Sequence, residues 1–351
     1  MQSSSVYVIG EIGQNHNGSV DIAKLIVDLV SRPVIEEITG QTLKPMDAIK
    51  LVKRDLDFEL SQSMKKMPYN TSHSFGETYG EHRAFLELNY EQHLEIYKHT
   101  KEKELDLIET LCAVSTLKIL KYFSPDKLKV ASRDLTNLPL LERLAETGIP
   151  IILSTGMGGA KELDDALDII VRYHDNISIL HCVSEYPTKP QNVNLLSITY
   201  LLKHYPEYVI GYSDHTIGIS APVAAVALGA RIIEKHVTID RRMKGSDQAG
   251  SLGPDGINRM IRDIRVLELS FGEEEIFIEP AVLGTKQKLE RSIASKFFIP
   301  KGQKITQEMV HLLSPGDGYQ WHQKENVLDK VALVDIPKDE IIYKEMITNN
   351  L

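Results

Sequence analysis

Short runs rich in Val, Ile and Leu alternate with helical patterns through most of this chain: VYVIGEI, AIKLVK, LIETLC, KLKVAS, PIILSTG, ISILHCVS, YVIGYSD and RIIEKHVT. The runs are almost continuously apolar, without a polar residue at every second position, so each is expected to be buried on both faces. That is the pattern of a parallel sheet covered by helices. Eight strand-helix units in about 270 residues is the size of a closed (β/α)8 (TIM) barrel. An open doubly wound sheet is the alternative architecture. The intervening segments carry the helical period: KELDDALDIIVRY puts Leu163, Ala166, Leu167 and Ile170 on one face, and INRMIRDIRVLELSF does so with Ile257, Met260, Ile261 and Ile264. Asn137 is placed to cap, and Gly148 to close, the helix in LPLLERLAETG.

After the eighth unit the pattern breaks into an acidic stretch, GEEEIFIEPAVLGTKQKL. The expected organisation is a barrel over residues 1–271, a linker over 272–289 and a small β-rich domain over 290–351. Within the small domain IPKGQKITQEM (Ile299 to Met309) returns as IPKDEIIYKEM (Ile336 to Met346), identical at six of eleven positions. Each copy reads as a strand, a Pro-Lys turn, a strand and a short helical start. So small a core is expected to lean on a barrel mouth, its own or a partner's.

At 351 residues and 42% hydrophobic content the chain can bury a large core, which excludes disorder. A net charge of -9 argues against nucleic acid or an anionic membrane as the main partner, because binding a phosphate backbone needs surplus Lys and Arg. An anionic ligand must therefore be held by local cations. Cys112 and Cys182 lie in apolar runs and read as buried, inert thiols; two cysteines exclude a disulfide framework. The opening MQSSSVYVIGEIG lacks a basic region followed by a long apolar one, and no stretch approaches the roughly 18 apolar residues of a membrane span. The expected location is the cytoplasm.

In such a barrel the C-terminal ends of the strands face the active site. Here those ends read Glu11 with Asn15 and His16, Lys50 with Lys53, Thr110, Lys129 with Ser132 and Asp134, Ser154 with Gly156, His181 with Ser184 and Tyr186, Ser213 with Asp214 and His215, and Glu234 with His236. One polar residue at a strand end is unremarked surface; polarity at all eight is a site. Lys50 and Lys129, each inside an apolar strand, cost desolvation unless an anion meets them. With Ser132, Ser154 and the amides of STGMGG they are placed to surround a phosphate or carboxylate. His215 and His236 end consecutive strands and suit a divalent ion, Mn or Mg, with open positions, while Asp214 and Glu234 are expected to orient the imidazoles. Glu11 and Asp247 are the carboxylates expected to move protons or activate water, although either also fits a cap or an ion pair. The connection from Arg54 to Leu88, with its PYNTSHSFGETYGEHR stretch, reads as an ordered substrate loop or lid.

Taken together, EIGQNHNG, the lysine of AIK, KVASRDLTN, ILSTGM, HCVSEYP, YSDHTIG, VAAVALGA, IEKHVTID and KGSDQAGSL resemble the sialic acid (nonulosonic acid) synthase family, in order and spacing. RSIASKFFIPKGQKIT through LLSPGDG resembles that family's antifreeze-like (SAF) domain, so the likeness runs nearly end to end. The resemblance implies condensation of phosphoenolpyruvate with an N-acetylated hexosamine-type aldehyde, using Mn or Mg, in a domain-swapped homodimer whose small domain caps the partner's barrel. It implies that Lys50, Thr110, Lys129, Ser132, Ser154, Ser184 and Ser213 bind phosphoenolpyruvate and that His215 and His236 bind the metal. Asp134, Tyr186 and Asp247 would contact the open-chain sugar, and Glu11 would serve the attacking water. N-acetylmannosamine or a close relative is the expected acceptor, and a 2,4-diacetamido hexose of the legionaminic or pseudaminic type the alternative.

Some positions depart from the family pattern. Val52 stands where a glutamine is usual, with Lys53 or Arg54 available to replace its hydrogen bond. TLCAVS lacks an aspartate, Gln248 replaces a histidine, and Ser314 stands where some members carry an arginine that reaches the N-acyl group. SRPVIEEITGQTLKPM lengthens the first helix-to-strand connection. A non-catalytic polysaccharide-pathway binding protein would show degraded strand ends, and a barrel hydrolase more metal ligands. Neither pattern is present.

Overall fold

The structure, a computed structural model, describes residues 5–36 and 40–348. It divides into two compact units, Met1–Gly272 and Glu273–Leu351.

The first unit is a closed barrel of eight parallel strands, β1 (Tyr7–Gly13), β2 (Ala48–Lys53), β3 (Asp106–Leu111), β4 (Lys127–Val130), β5 (Ile151–Ser154), β6 (Ile177–Cys182), β7 (Val209–Asp214) and β8 (Ile232–His236). Each pairs with its neighbour in sequence, and β8 closes on β1 through Tyr7↔Ile232 to Glu11↔His236. The closed ring excludes the open doubly wound sheet. Around it lie α1 (Val20–Val30), α2 (Tyr79–Leu86), α3 (Tyr90–Glu102), α4 (Leu138–Ala145), α5 (Ala160–Ile170), α6 (Leu196–His204), α7 (Ser220–Ala227) and α8 (Pro254–Ser270). A 3-10 helix, Val114–Lys121, takes the place of an α-helix between β3 and β4.

Alternation along the strands separates two environments. Outward residues such as Val8, Ile49, Leu107, Leu128, Leu153, Ile179, Ile210 and Ile233 form the main core with the helices, including the predicted faces of α5 and α8. Inward, Ile9, Ala48, Ile108, Ile152, Leu180 and Ile232 make an apolar plug. Two residues further along each strand the inward position carries a heteroatom: Glu11, Lys50, Thr110, Lys129, Ser154, Cys182, Ser213 and Glu234, all lining one cavity. The barrel is dry below and polar above.

One local expectation needs correction. Asn137 occupies the N-cap position of α4 but does not cap it; its side-chain amide donates to Asp134 Oδ1 (3.3 Å). Gly148 lies beyond the end of α4 with φ +70°, a conformation that a Cβ disfavours. The inserted stretch before β2 contains a two-residue antiparallel ladder, Val34–Ile35 against Thr42–Leu43; residues 37–39 lie outside the described part.

The second unit has its own core, built on Ile293, Ile299, Ile305, Val310, Val327, Ala332, Ile336, Ile342 and Ile347. Its strands β9 (Ser292–Ser295) and β10 (Val310–Leu313) are antiparallel. The stretch before it includes a regular helix, α9 (Leu283–Leu289), where an irregular linker was expected. The two repeat copies pair at their first residues, Ile299 and Ile336 exchanging both backbone hydrogen bonds (2.9 and 2.8 Å). Each copy ends in a 3-10 turn, Gln307–Met309 and Lys344–Met346, while the expected strands are single bridges. Among the described residues no helix is long and apolar enough to cross a membrane.

Candidate active site

A cavity of about 230 Å³ opens at the C-terminal mouth of the barrel. At its floor sits a buried cluster of two ammonium and two carboxylate groups. Lys50 Nζ is 2.8 Å from Glu11 Oε2, 3.7 Å from Glu234 Oε1 and 3.3 Å from the Thr110 hydroxyl. Lys129 Nζ is 3.5 Å from Glu234 Oε2, and Ser213 donates to Glu234 Oε1 (2.9 Å). All four charged side chains are at most 6% exposed. The two carboxylates titrate far apart. Burial, reinforced by the Glu234 charge, pushes Glu11 up to about 7 in spite of Lys50. Burial would also raise Glu234, but Lys129, Lys50 and the Ser213 hydroxyl outweigh it and hold Glu234 at about 2. Glu11 is thus poised near neutrality beside a carboxylate that stays ionised.

Three residues of the cavity lining, Ser132, Ser184 and Cys182, close in on the backbone at Gly156. A Cβ there would lie 2.6 Å from Ser184 Oγ, 2.7 Å from Ser132 Oγ and 3.0 Å from Cys182 Sγ. The Gly156 N–H donates to Ser132 Oγ (3.0 Å), and the buried Ser154 hydroxyl has no partner. Hydroxyl donors converging over two ammonium groups are what an oxyanion requires.

His215 and His236 stand side by side with ring centroids 5.6 Å apart, and Tyr186 packs on His215 at 4.1 Å. Neither Asp214 nor Glu234 hydrogen-bonds to either ring, contrary to the sequence expectation. Strand alternation turns Asp214 outward to Lys235, and Glu234 serves the lysines. His215 is oriented by a hydrogen bond from Nδ1 to the Val183 carbonyl (2.8 Å), so Nε2 is the ring nitrogen left for a ligand. The His236 Nδ1 is buried without a partner, and burial lowers its pKa, so the ring is a neutral donor. Two imidazole rings lining a cavity rich in oxygen atoms fit a divalent ion that keeps positions for water or substrate. No group of three or more His, Cys, Asp or Glu among the described residues converges as a closed site.

Of the predicted site residues, Glu11, Lys50, Thr110, Lys129, Ser132, Ser154, Ser184, Tyr186, Ser213, His215, His236 and Asp247 all line the cavity. Asp134 does not; it pairs with Arg133 (3.2 Å) and Asn137, because a 3-10 turn follows Ser132 and turns it aside. Lys53 is also absent, its Nζ bound to Glu87 (2.6 Å) and the Leu88 carbonyl, so it does not stand in beside Val52. Asn15 bonds Val237 and Ser251, and Gln248 bonds Thr238 and the Asn15 carbonyl; both knit loops together outside the lining.

Sequence reading missed Gln14, Arg83 and Arg133 as cavity residues; it placed Glu234 at the mouth but gave it to the imidazoles, and it named Arg54 only as a stand-in beside Val52. Arg54 and Arg133 share Glu59 (2.9 and 3.6 Å). Arg83 has neutral partners, the Tyr79 hydroxyl (2.9 Å) and the Gln14 side-chain oxygen. The long connection that carries Arg54 and Arg83 is ordered by α2, whose Thr78/Glu81 capping box is complete, and by stacking of Phe75 on Phe85 at 4.7 Å.

A closed barrel whose mouth gathers two lysines, two carboxylates and two imidazoles over an oxyanion cradle defines a barrel enzyme acting on an anionic substrate. A model of the NeuB family matches residues 42–276, and a model of the SAF domain matches residues 290–348. N-acetylneuraminate-9-phosphate synthase of Homo sapiens is 32% identical over 345 residues, covering 98% of this chain and 93% of that protein. N,N'-diacetyllegionaminic acid synthase of Campylobacter jejuni is 30% identical over 342 residues, covering 95% and 98%. The solved N-acetylneuraminic acid (sialic acid) synthetase from Leptospira borgpetersenii, in complex with citrate, superposes with a TM-score of 0.65 at 30% identity, covering 80% of this chain and 90% of that one. The chain belongs to the NeuB family of sialic (nonulosonic) acid synthases and is an enzyme.

Proposed function

We propose that this enzyme condenses phosphoenolpyruvate with an N-acyl amino hexose, N-acetylmannosamine or a close relative, to give a nine-carbon 2-keto acid and inorganic phosphate. The observation that carries the reading is one cavity in which Ser132, Ser154 and Ser184 join Lys50 and Lys129 beside His215 and His236. Lys129, Ser132, Ser154, Ser184 and Ser213 hold the phosphate and carboxylate of phosphoenolpyruvate, and Lys50 and Thr110 complete that set. Tyr186 and Asp247 lie beside the imidazoles and contact the acceptor. The enol carbon attacks the aldehyde carbon, and the aldehyde oxygen takes a proton. Water then adds at C2 with Glu11 accepting its proton, and the tetrahedral carbon expels phosphate. Fixed cations suit this sequence because they stabilise developing charge without reorganising. A divalent ion, Mn or Mg, held by His215 and His236, would supply Lewis acidity at the aldehyde oxygen. We take the enzyme to work in the cytoplasm as a domain-swapped homodimer, on the strength of its family resemblance.

One feature favours a phosphorylated acceptor as the second reading. Arg83 is a lining cation whose bonds go to neutral groups, so it is available to an anion at the acceptor end. The human relative's name, a 9-phosphate synthase, points the same way. The test is phosphate release from phosphoenolpyruvate with Mn, comparing N-acetylmannosamine, its 6-phosphate, a 2,4-diacetamido hexose and no acceptor, with product mass read in parallel. Release that needs one acceptor and yields the matching acid confirms reaction and substrate. Release with none of them rejects the reading.

A further inference from the structure

Directly behind the two imidazoles, on the outer face of the barrel, lies a buried ion pair that the site chemistry does not use. Lys235 Nζ is 2.5 Å from Asp214 Oδ2, and both side chains are 0% exposed. Every oxygen of Asp214 is engaged: Oδ1 accepts from the Tyr212 hydroxyl (2.8 Å) and the Thr216 amide (2.9 Å), and Oδ2 also accepts from the Thr216 hydroxyl (3.0 Å). Lys235 donates in addition to the Thr216 carbonyl.

The register gives this network its meaning. Asp214 and Lys235 are the last paired residues of β7 and β8, so the next position on each strand is His215 and His236. Alternation sends the ion pair outward and both imidazoles inward. The pair therefore locks the two strands together one residue below the metal-type ligands, and the Asp214–Thr216 bonds fix the turn that carries His215. A buried charged pair is seldom kept for stability, since apolar residues of equal volume commonly do as well; fixing a register is its best-attested use. The Val183 carbonyl sets the rotation of His215 but not its distance from His236.

We propose that Asp214 and Lys235 are positioning residues that set the His215–His236 spacing, and through it the affinity of this site for a divalent ion. The inference rests on the metal-dependent reading above. The phosphoenolpyruvate side is expected to be insulated, because Glu234 and Ser213 are held to each other inside the barrel by their own hydrogen bond.

The experiment compares full-length wild type, Lys235→Met, Asp214→Asn and the milder Thr216→Val, which removes one hydrogen bond and leaves the ion pair. Mn2+ affinity is read from the free-ion electron paramagnetic resonance signal, phosphoenolpyruvate affinity by calorimetry without metal, and folding by circular dichroism. Lys235→Met and Asp214→Asn are expected to weaken Mn2+ binding by roughly 10- to 100-fold, the usual effect of losing such a support, and Thr216→Val by a few-fold. Phosphoenolpyruvate affinity is expected to stay within about threefold. Folded variants that bind Mn2+ like wild type overturn the proposal, as do equal losses for Mn2+ and phosphoenolpyruvate, which would mark a general structural role. If either ion-pair variant fails to fold, Thr216→Val decides alone, unchanged Mn2+ affinity counting against the proposal. Wild type that binds no Mn2+ would reject the metal reading itself, and this inference with it.

Discussion

Glu234→Gln isolates the charge balance on which the site rests. In the wild type Glu234 is the carboxylate beside Lys129 (3.5 Å), whereas Lys50 retains Glu11 at 2.8 Å when Glu234 is gone. The amide keeps the shape and a bond to Ser213 but leaves the Lys129 charge, 3% exposed, without a counter-charge. Breaking a buried pair by removing one partner costs about 3–5 kcal/mol. Burial already lowers the Lys129 pKa, and loss of the carboxylate lowers it further, so deprotonation limits the cost at high pH and the full cost appears as pH falls. At roughly 2–4 °C per kcal/mol, the ligand-free variant should melt about 6–20 °C lower near neutral pH. An anion in the cradle restores the missing negative charge. Inorganic phosphate should therefore bind the variant more tightly than the wild type and stabilise it more at any given concentration, the total contribution being about 2.7 kcal/mol once phosphate reaches 100 times the variant's dissociation constant. The assay is thermal unfolding of both proteins over a phosphate series. Equal phosphate responses, or a ligand-free variant as stable as wild type, would refute the assignment of Lys129 to the anion site.

Gly156→Ala places a methyl group against the hydroxyls of Ser132 and Ser184, which can rotate away, so stability should hardly change; a cost of about 1–3 kcal/mol should appear in phosphoenolpyruvate affinity as roughly a 5- to 150-fold loss by calorimetry. Glu11, held at about 7 against an ordinary 4.5, keeps in the folded state a proton that the unfolded chain has lost between those values. Its stabilising contribution is thus full below about 4.5 and disappears as pH rises through 7, and Glu11→Gln should melt with a shallower decline from pH 5 to pH 8 than wild type; parallel curves would contradict the shift. His236→Ala should abolish Mn2+ binding and metal-dependent turnover while leaving phosphoenolpyruvate binding, and a fully active variant would remove His236 from the site. Deleting residues 273–351 should leave a folded barrel, since its core is its own, but without activity; an active truncation would reject a capping role for the small domain.

The barrel was legible because its strands are short, apolar and regularly spaced, and because helical periodicity identified the buried faces of α5 and α8. The floor of the site was legible by parity. Within AIKLVK, Lys50 and Lys53 are three residues apart and must face opposite sides of the sheet, and only Lys50 enters the cavity. The same parity puts Glu234 and His236 on one face, so Glu234 was readable as a cavity residue and was assigned to the imidazoles only because it neighbours them in sequence. Asp134 could not be placed by parity, since the strand has already ended and a 3-10 turn rotates it away. Arg83 lies further from any strand rule: it sits on α2, inside an inserted connection, and only the packing of that connection over the mouth brings it to the cavity.

The lysines also show why burial of charge and occupancy by a ligand are different arguments. Two lysines inside apolar strands suggested an unseen anion, yet Glu11 and Glu234 supply two carboxylates, and four formal charges balance without any substrate. What points to a ligand is the remainder: an unpartnered Ser154 hydroxyl and an unpartnered His236 nitrogen, both on residues that line the cavity. Ser154 lines the same cavity as the balanced cluster, so a bound anion finds a donor there while competing with Glu234 for Lys129. On the proposed reaction, that competition would limit ground-state affinity for the anion and leave Lys129 to strengthen its contact as negative charge develops on the departing phosphate. On this argument Glu234→Gln, besides binding phosphate more tightly, should turn over more slowly at saturating phosphoenolpyruvate, because part of the electrostatic stabilisation has moved from the transition state to the bound ground state. A variant that binds phosphate more tightly and turns over at the wild-type rate would leave Glu234 a structural counter-ion and nothing more.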